Sequence, residues 1–224
     1  MNAIIACEVM REELKKVRVE QPVTFHFVSM GLHRWPERLR EELLRLLAEI
    51  SGVERVVLAF GLCGGAAAGL PAPGVPLTIP RVHDCIPLLL GSSEAHAQLR
   101  DEEKGTFFVS GGWLEGERTV FTEYRRVRDK YGDKKARRVM STMFDAYRRL
   151  VFIHTDHPRE AEHLAAAQEL AQLLDLSFAE RDGGSAWLER LVNGPWESDD
   201  FITIQPGTVL DETAFGVAAG RAGA

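Results

Sequence analysis

Short apolar runs alternate with helical stripes along most of the 224-residue chain. Asn2 to Ala6 and Val23 to Val28 read as buried strands, with a helical stretch from Val9 to Val17 between them. Pro36 is a good first-turn residue and opens a second helix, in which Leu39, Leu43, Leu46, Leu47 and Ile50 recur at 3.6-residue spacing. A strand from Arg55 to Phe60 runs into the small-residue turn Gly61 to Gly65, and another from Val75 to Ile79 stops at Pro80. Gly105 to Ser110 is a short strand ended by Gly111 and Gly112. The region from Glu117 to Leu150 is mostly helical in pattern and broken at Gly132, which predicts an inserted helical pair at about 117–149. Alternation then resumes: strand Leu150 to Ile153, helix Pro158 to Leu174, strand Leu176 to Ala179, short helix Ala186 to Val192, strand Phe201 to Ile204. The Gly/Ala-rich tail from Val217 reads as frayed.

This pattern predicts an α/β protein: an open, mostly parallel sheet with right-handed crossovers, helices on both faces and the inserted helical pair. The chain is read as a single domain over residues 1–224.

Composition narrows the function. With 45% hydrophobic and 27% charged residues the chain can bury a full core. A net charge of −6 offers no field for phosphates, so neither nucleic acid nor an anionic membrane is an expected partner. The basic stretch from Arg118 to Arg149 interleaves Glu123, Asp129, Asp133 and Asp145 and reads as a solvated helical face. No apolar run approaches the ~18–20 residues a bilayer span needs, and no leader pattern precedes the first strand. The expected compartment is the cytoplasm. Thiols stay reduced there, so three cysteines are buried thiols, a catalytic thiol or metal ligands rather than a disulfide framework.

Cys7, Cys63 and Cys85 each follow an apolar run that reads as a strand. The loops at the carboxyl ends of parallel strands lie along one edge, where such folds bind ligands. One cysteine beside a strand is ordinarily a packing residue, but all three in the same kind of position point to one shared metal site. Gly61, Gly64 and Gly65 let the backbone turn sharply around Cys63 and present amides to a bound anion or cluster sulfide. His83 and Asp84 place ligands or proton carriers beside Cys85. No Cys-x2–4-Cys knuckle is present, which disfavours a structural zinc site. An iron–sulfur cluster on three thiolates, with one iron open to substrate, is the preferred reading; zinc held by the three cysteines and His83 is the alternative.

Other residues are candidates by position. Arg81 is expected to clamp a substrate carboxylate bidentately. His154 follows the strand Leu150 to Ile153, so it falls at the carboxyl edge as a substrate-binding candidate, beside Thr155, Asp156 and His157; a helix cap ahead of Pro158 is the competing reading. His33 lies on a strand-to-helix connection, Glu8 reads chiefly as a first-turn carboxylate, and Trp113 and Glu115 are a candidate lid. The glycines at 61, 64 and 65 lack the spacing of a dinucleotide fingerprint.

With those residues in place, the chain resembles a bacterial and archaeal family called domain of unknown function 1638. The matching segments are Ala6 to Glu8, Gly31 to His33, Gly61 to Gly64, Pro80 to Ile86, Leu89 to Ser92 and Gly105 to Phe108 with Gly112-Trp113, spread over roughly residues 1–155. The resemblance implies cysteines at positions 7, 63 and 85, and a corrinoid-dependent methyltransferase as a partner. This chain departs from it in having Phe60, Phe107 and Phe108 where tyrosines are expected, and Gly65 where Asn is. The resemblance names no reaction. Three functions follow as expectations: an enzyme acting on a small anionic substrate at the three-cysteine site; a non-catalytic carrier of a metal or corrinoid for a methyltransferase; or a metal-free thiol enzyme using Cys85 or Cys63 with His83.

Overall fold

The structure is a computed structural model that describes residues 1–116 and 119–216. Its first half runs β1 (Asn2–Cys7), a 3-10 turn (Glu8–Met10), α1 (Arg11–Lys16), β2 (Val23–Val28), a 3-10 turn (Met30–Arg34), α2 (Pro36–Glu49), β3 (Arg55–Ala59), β4 (Leu77–Pro80), α3 (Ile86–Leu90) and α4 (Ser93–Glu102). The second half runs β5 (Thr106–Ser110), α5 (Gly111–Glu115), α6 (Val120–Tyr131), α7 (Asp133–Met143), β6 (Arg149–His154), α8 (Glu160–Leu174), β7 (Ser177–Asp182), α9 (Ala186–Asn193) and β8 (Phe201–Ile204).

The α/β class holds, but the strands form two sheets. One has the order β2-β1-β3-β4-β8, with β8 antiparallel; the other is β5-β6-β7, all parallel. Alternation predicts strands without saying which of them pair. Here the last strand returns to the free edge of β4, matching Leu77 with Ile204 and Thr78 with Thr203. That edge is closed to β5, which pairs with β6 instead.

Local reasons for the elements are plain. Every residue of β1 is buried, as expected for a strand covered on both faces. The leucines at 39, 43, 46 and 47 form the buried face of α2, each contributing roughly 1.5–3 kcal/mol relative to exposure. Alternate residues of β6 serve two cores. Leu150 and Phe152 pack with Ala167, Leu170 and Leu174 of α8, whereas Ile153 joins the core of the larger sheet. The helical insertion is present as α6 and α7, broken at Gly132; its first two residues and the tail from Val217 lie outside the described residues. The helices α3 and α4 have no counterpart among the predicted elements. Ser92 caps α4 by accepting the Ala95 amide at 3.1 Å, and a Ser followed by helix formers was the available signal.

Candidate metal centre and adjoining pocket

From β1 the chain goes to β2 on one side, and β3 then lies on the other side of β1. The gap between the carboxyl ends of β1 and β3 is therefore a topological switch point, where open α/β sheets form their binding crevices. Cys7 is the last residue of β1, Cys63 lies in the turn after β3, and Cys85 immediately precedes α3 beyond β4. All three line one small cavity of about 10 Å³, together with Ser29, Met30, His33, Leu39 and Phe60.

Backbone bonds hold the three loops together. The Leu62 amide donates to the Val82 carbonyl at 3.0 Å and the Cys63 amide to the His83 carbonyl at 2.9 Å. A side chain at Gly61 would press on this seam, since its Cβ would lie 2.5 Å from the Asp84 nitrogen. Cys63 itself has φ +49°, a left-handed conformation rare outside glycine and often found at functional sites. Glu8 joins the loops after β1 and β2: its Oε1 accepts the Met30 amide at 2.8 Å and the Ser29 hydroxyl at 3.1 Å. Its role is therefore a tie between loops.

Burial dominates the electrostatics. It pushes the Cys7 thiol up to about 11, against a backbone hydrogen bond at Val9, with Glu8 adding to the rise. It pushes Cys63 up to about 12, reinforced by Cys7 and Asp84, and Cys85 well above the usual thiol range, reinforced by Cys7, Asp84 and Cys63. The three sulfurs feel one another, and without a metal they are protonated at neutral pH. They do not all lie within 4.8 Å of one another, so they are not drawn in to the roughly 3.8 Å that 2.3 Å bonds to one tetrahedral zinc require.

A larger pocket of about 420 Å³ adjoins this cavity and shares Cys7, Met30, His33 and Cys85 with it. Its far wall comes from the second sheet and the inserted helices: Phe107 and Phe108 of β5, Trp113 of α5, and Met140, Phe144 and Tyr147. The Phe107 ring meets Trp113, Phe144 and Tyr147 edge-on, with centroids 5.1–5.3 Å apart. Asp84, Arg34 and Glu123 supply the charges on this mainly apolar lining. The insertion thus contributes seven of the 20 residues that line the pocket, which its amphipathic pattern alone did not reveal.

The remaining candidates divide. Asp84 lines the pocket and accepts the Ile86 amide at 2.9 Å, while His83 is exposed and outside both cavities. Gly61, Gly64 and Gly65 shape the Cys63 turn, and the Gly64 Cβ position sits 3.2 Å from Pro36. Arg81 is not at the pocket. Its Nε donates to the Asp199 carbonyl at 2.7 Å and its Nη1 to the Ala214 carbonyl, so it fastens the carboxyl-terminal segment; the neighbouring Pro80 pairs with Phe201 across β8, which carries Arg81 away from Cys85. The cation at the pocket is Arg34, which forms no ion pair among the described residues. His154 also stands apart, held between Glu160 and Glu180 at 2.9 Å each. Glu160, the first residue of α8, ties down the preceding loop by accepting the Thr155 and His157 amides, whereas no loop side chain caps the helix, whose N-cap is Arg159. Trp113 faces the pocket, but Glu115 turns toward His157 and His163.

A two-sheet α/β protein with its cysteines gathered at a switch point is what the fold and the site define. A family model described as "Protein of unknown function (DUF1638)" matches residues 27–192, most of the chain, and the protein belongs to that family. Cys63 and Cys85 fall inside the matched stretch and Cys7 precedes it. No curated protein and no solved structure matches the chain. Phe60 lines the small cavity, and Phe107 and Phe108 line the larger one.

Proposed function

We propose that the protein is a cytoplasmic metalloenzyme in which Cys7, Cys63 and Cys85 hold an iron–sulfur cluster, or failing that zinc, and that a small anionic substrate with an apolar body binds beside it. The observation that carries this reading is the shared wall: two of three cysteines from separate strand ends also line the 420 Å³ pocket. The donor set fits a soft metal, since thiolates favour zinc and iron–sulfur centres. The cavity that all three cysteines line is only about 10 Å³, room for no more than a water molecule, so these residues would have to spread apart to hold a cluster. Among the described residues no helix is long and apolar enough to cross a membrane.

The metal-free thiol enzyme is the weaker reading. Buried thiols held protonated are poor nucleophiles, and His83 is exposed rather than aimed into their cavity. Metal binding would instead displace the thiol protons, which makes affinity rise with pH.

Protein purified without oxygen should carry iron and labile sulfide, or stoichiometric zinc, and each of Cys7→Ser, Cys63→Ser and Cys85→Ser should lower that content sharply. Unchanged content in all three variants would leave only packing for these residues. Tight metal binding without turnover on any small acid would favour the carrier role, with a corrinoid methyltransferase as the partner to test.

A further inference from the structure

Among the described residues, the one set of three ligand-type side chains whose atoms all lie within 4.8 Å is Glu115, His157 and His163. Glu115 ends α5, His157 lies in the loop after β6, and His163 is in the first turn of α8. His157 Nε2 stands 3.6 Å from Glu115 Oε2, and His163 Nε2 stands 3.5 Å from Glu115 Oε1. These separations are too long for good hydrogen bonds. They are close to the 3.0–3.4 Å edge between donors that share an ion at roughly 2.1 Å each.

Both imidazoles are buried, with side chains 2% and 8% exposed, and His157 Nε2, the atom that faces Glu115, has no hydrogen-bond partner. Buried polar atoms are nearly always satisfied, and an ion is one of the few reasons for an exception. Gly111 makes room for the pair: a Cβ there would lie 2.6 Å from His157 Cγ and 2.8 Å from His163 Nδ1. Arg159 grips Glu115 Oε1 from outside through Nη2 at 2.5 Å and Nε at 3.1 Å, orienting the carboxylate as an outer-shell partner does.

We propose that Glu115, His157 and His163 form a second metal site, for a divalent ion of the zinc type, separate from the cysteines. Two imidazoles and a carboxylate are the donors such ions take, and three protein ligands leave one position for water or another small ligand. The Arg159 amide lies 3.2 Å from His157 Nδ1 and leaves the Nε2 edge facing Glu115. Ligation through Nε2 shifts the ring proton to Nδ1 and gives up that long contact. The ion joins α5 to α8, and α5 also carries Trp113 on the wall of the main pocket, so its occupancy steadies that wall. The proposal does not depend on the thiols.

Cobalt(II) added to chelator-treated full-length protein separates the two sites. Thiolate ligation gives an intense sulfur-to-cobalt charge-transfer band in the near ultraviolet, whereas an imidazole–carboxylate site gives visible bands without it. Thiolate centres absorb in the visible too, so this site is read as the visible component that titrates without a matching charge-transfer band. Wild-type protein should show it, and Glu115→Gln should remove it or weaken its affinity at least about tenfold. His163→Gln should do the same, while Cys85→Ser should leave it intact. Glu115 is at the surface, so its variant remains informative if the buried histidine variants fail to fold. Wild-type stoichiometry and affinity in Glu115→Gln would overturn the site. A missing thiolate band with the visible component retained would count against the cysteine centre and leave this one standing.

Discussion

The Cys63 amide and the His83 carbonyl, 2.9 Å apart, stitch the turn after β3 to the segment that leads into Cys85. Two cysteines more than twenty residues apart are thereby set beside one cavity by a main-chain bond that no side-chain pattern encodes.

Gly61 lies at the start of that seam, and its substitution tests it. Gly61→Ala must push the Asp84 backbone aside from a 2.5 Å approach, which costs about 1–3 kcal/mol as overpacking does. The urea midpoint should fall accordingly, and metal content should fall with it because Cys63 and Cys85 separate. A variant with wild-type stability and metal content would mean that the seam is not what positions the thiols.

The two arginines should behave differently. Arg34→Gln should weaken binding of a small carboxylate at least about tenfold, the loss of one charge-assisted hydrogen bond, with metal content unchanged. Arg81→Ala should leave ligand binding alone and destabilise the fold by about 1.5–3 kcal/mol, since it removes charged hydrogen bonds to the Asp199 and Ala214 carbonyls. Calorimetric ligand titration and thermal melting of both variants decide the matter; the opposite assignment would return Arg81 to substrate recognition.

His154 should titrate above the usual histidine value. Burial alone would lower it, but hydrogen bonds to Glu160 and Glu180 outweigh burial and raise it. A raised folded value means this contribution to stability is complete below the unfolded value of about 6.5 and is lost as pH rises through the folded one. Glu160 is opposite in sign. Burial would raise it, but the His154 bond and the Thr155 and His157 amides hold it down, so its contribution is lost as pH falls through its folded value. The cluster is therefore most stabilising between those two limits. NMR titration of the His154 ring should show its pKa falling in Glu160→Gln; an unchanged value would remove that carboxylate as the cause.

Phe107 carries the aromatic wall. Phe107→Ala loses three edge-on ring contacts and should cost roughly 3 kcal/mol, read from chemical denaturation. The enlarged pocket should then accept bulkier ligands than wild type does.

Much of the fold was legible locally. The six apolar residues of β1, the leucine stripe of α2 and the break at Gly132 each announce an element, because strand burial and helix periodicity are properties of neighbouring positions. The position of Cys7 at the end of one strand and of Cys63 just past another was legible for the same reason. What the sequence could not convey was pairing. That β8 would return to β4 and leave β5 to start a second sheet depends on long-range hydrogen bonds between chemically similar strands. The outward turn of Arg81, the gathering of Phe107, Trp113 and Phe144 on one wall, and the meeting of Glu115 with His157 and His163 all follow from that choice. Sequence thus determined which residues stand at the carboxyl edges of strands. Only the tertiary structure decided which of those edges face one another, because that is settled by packing between elements far apart in the chain.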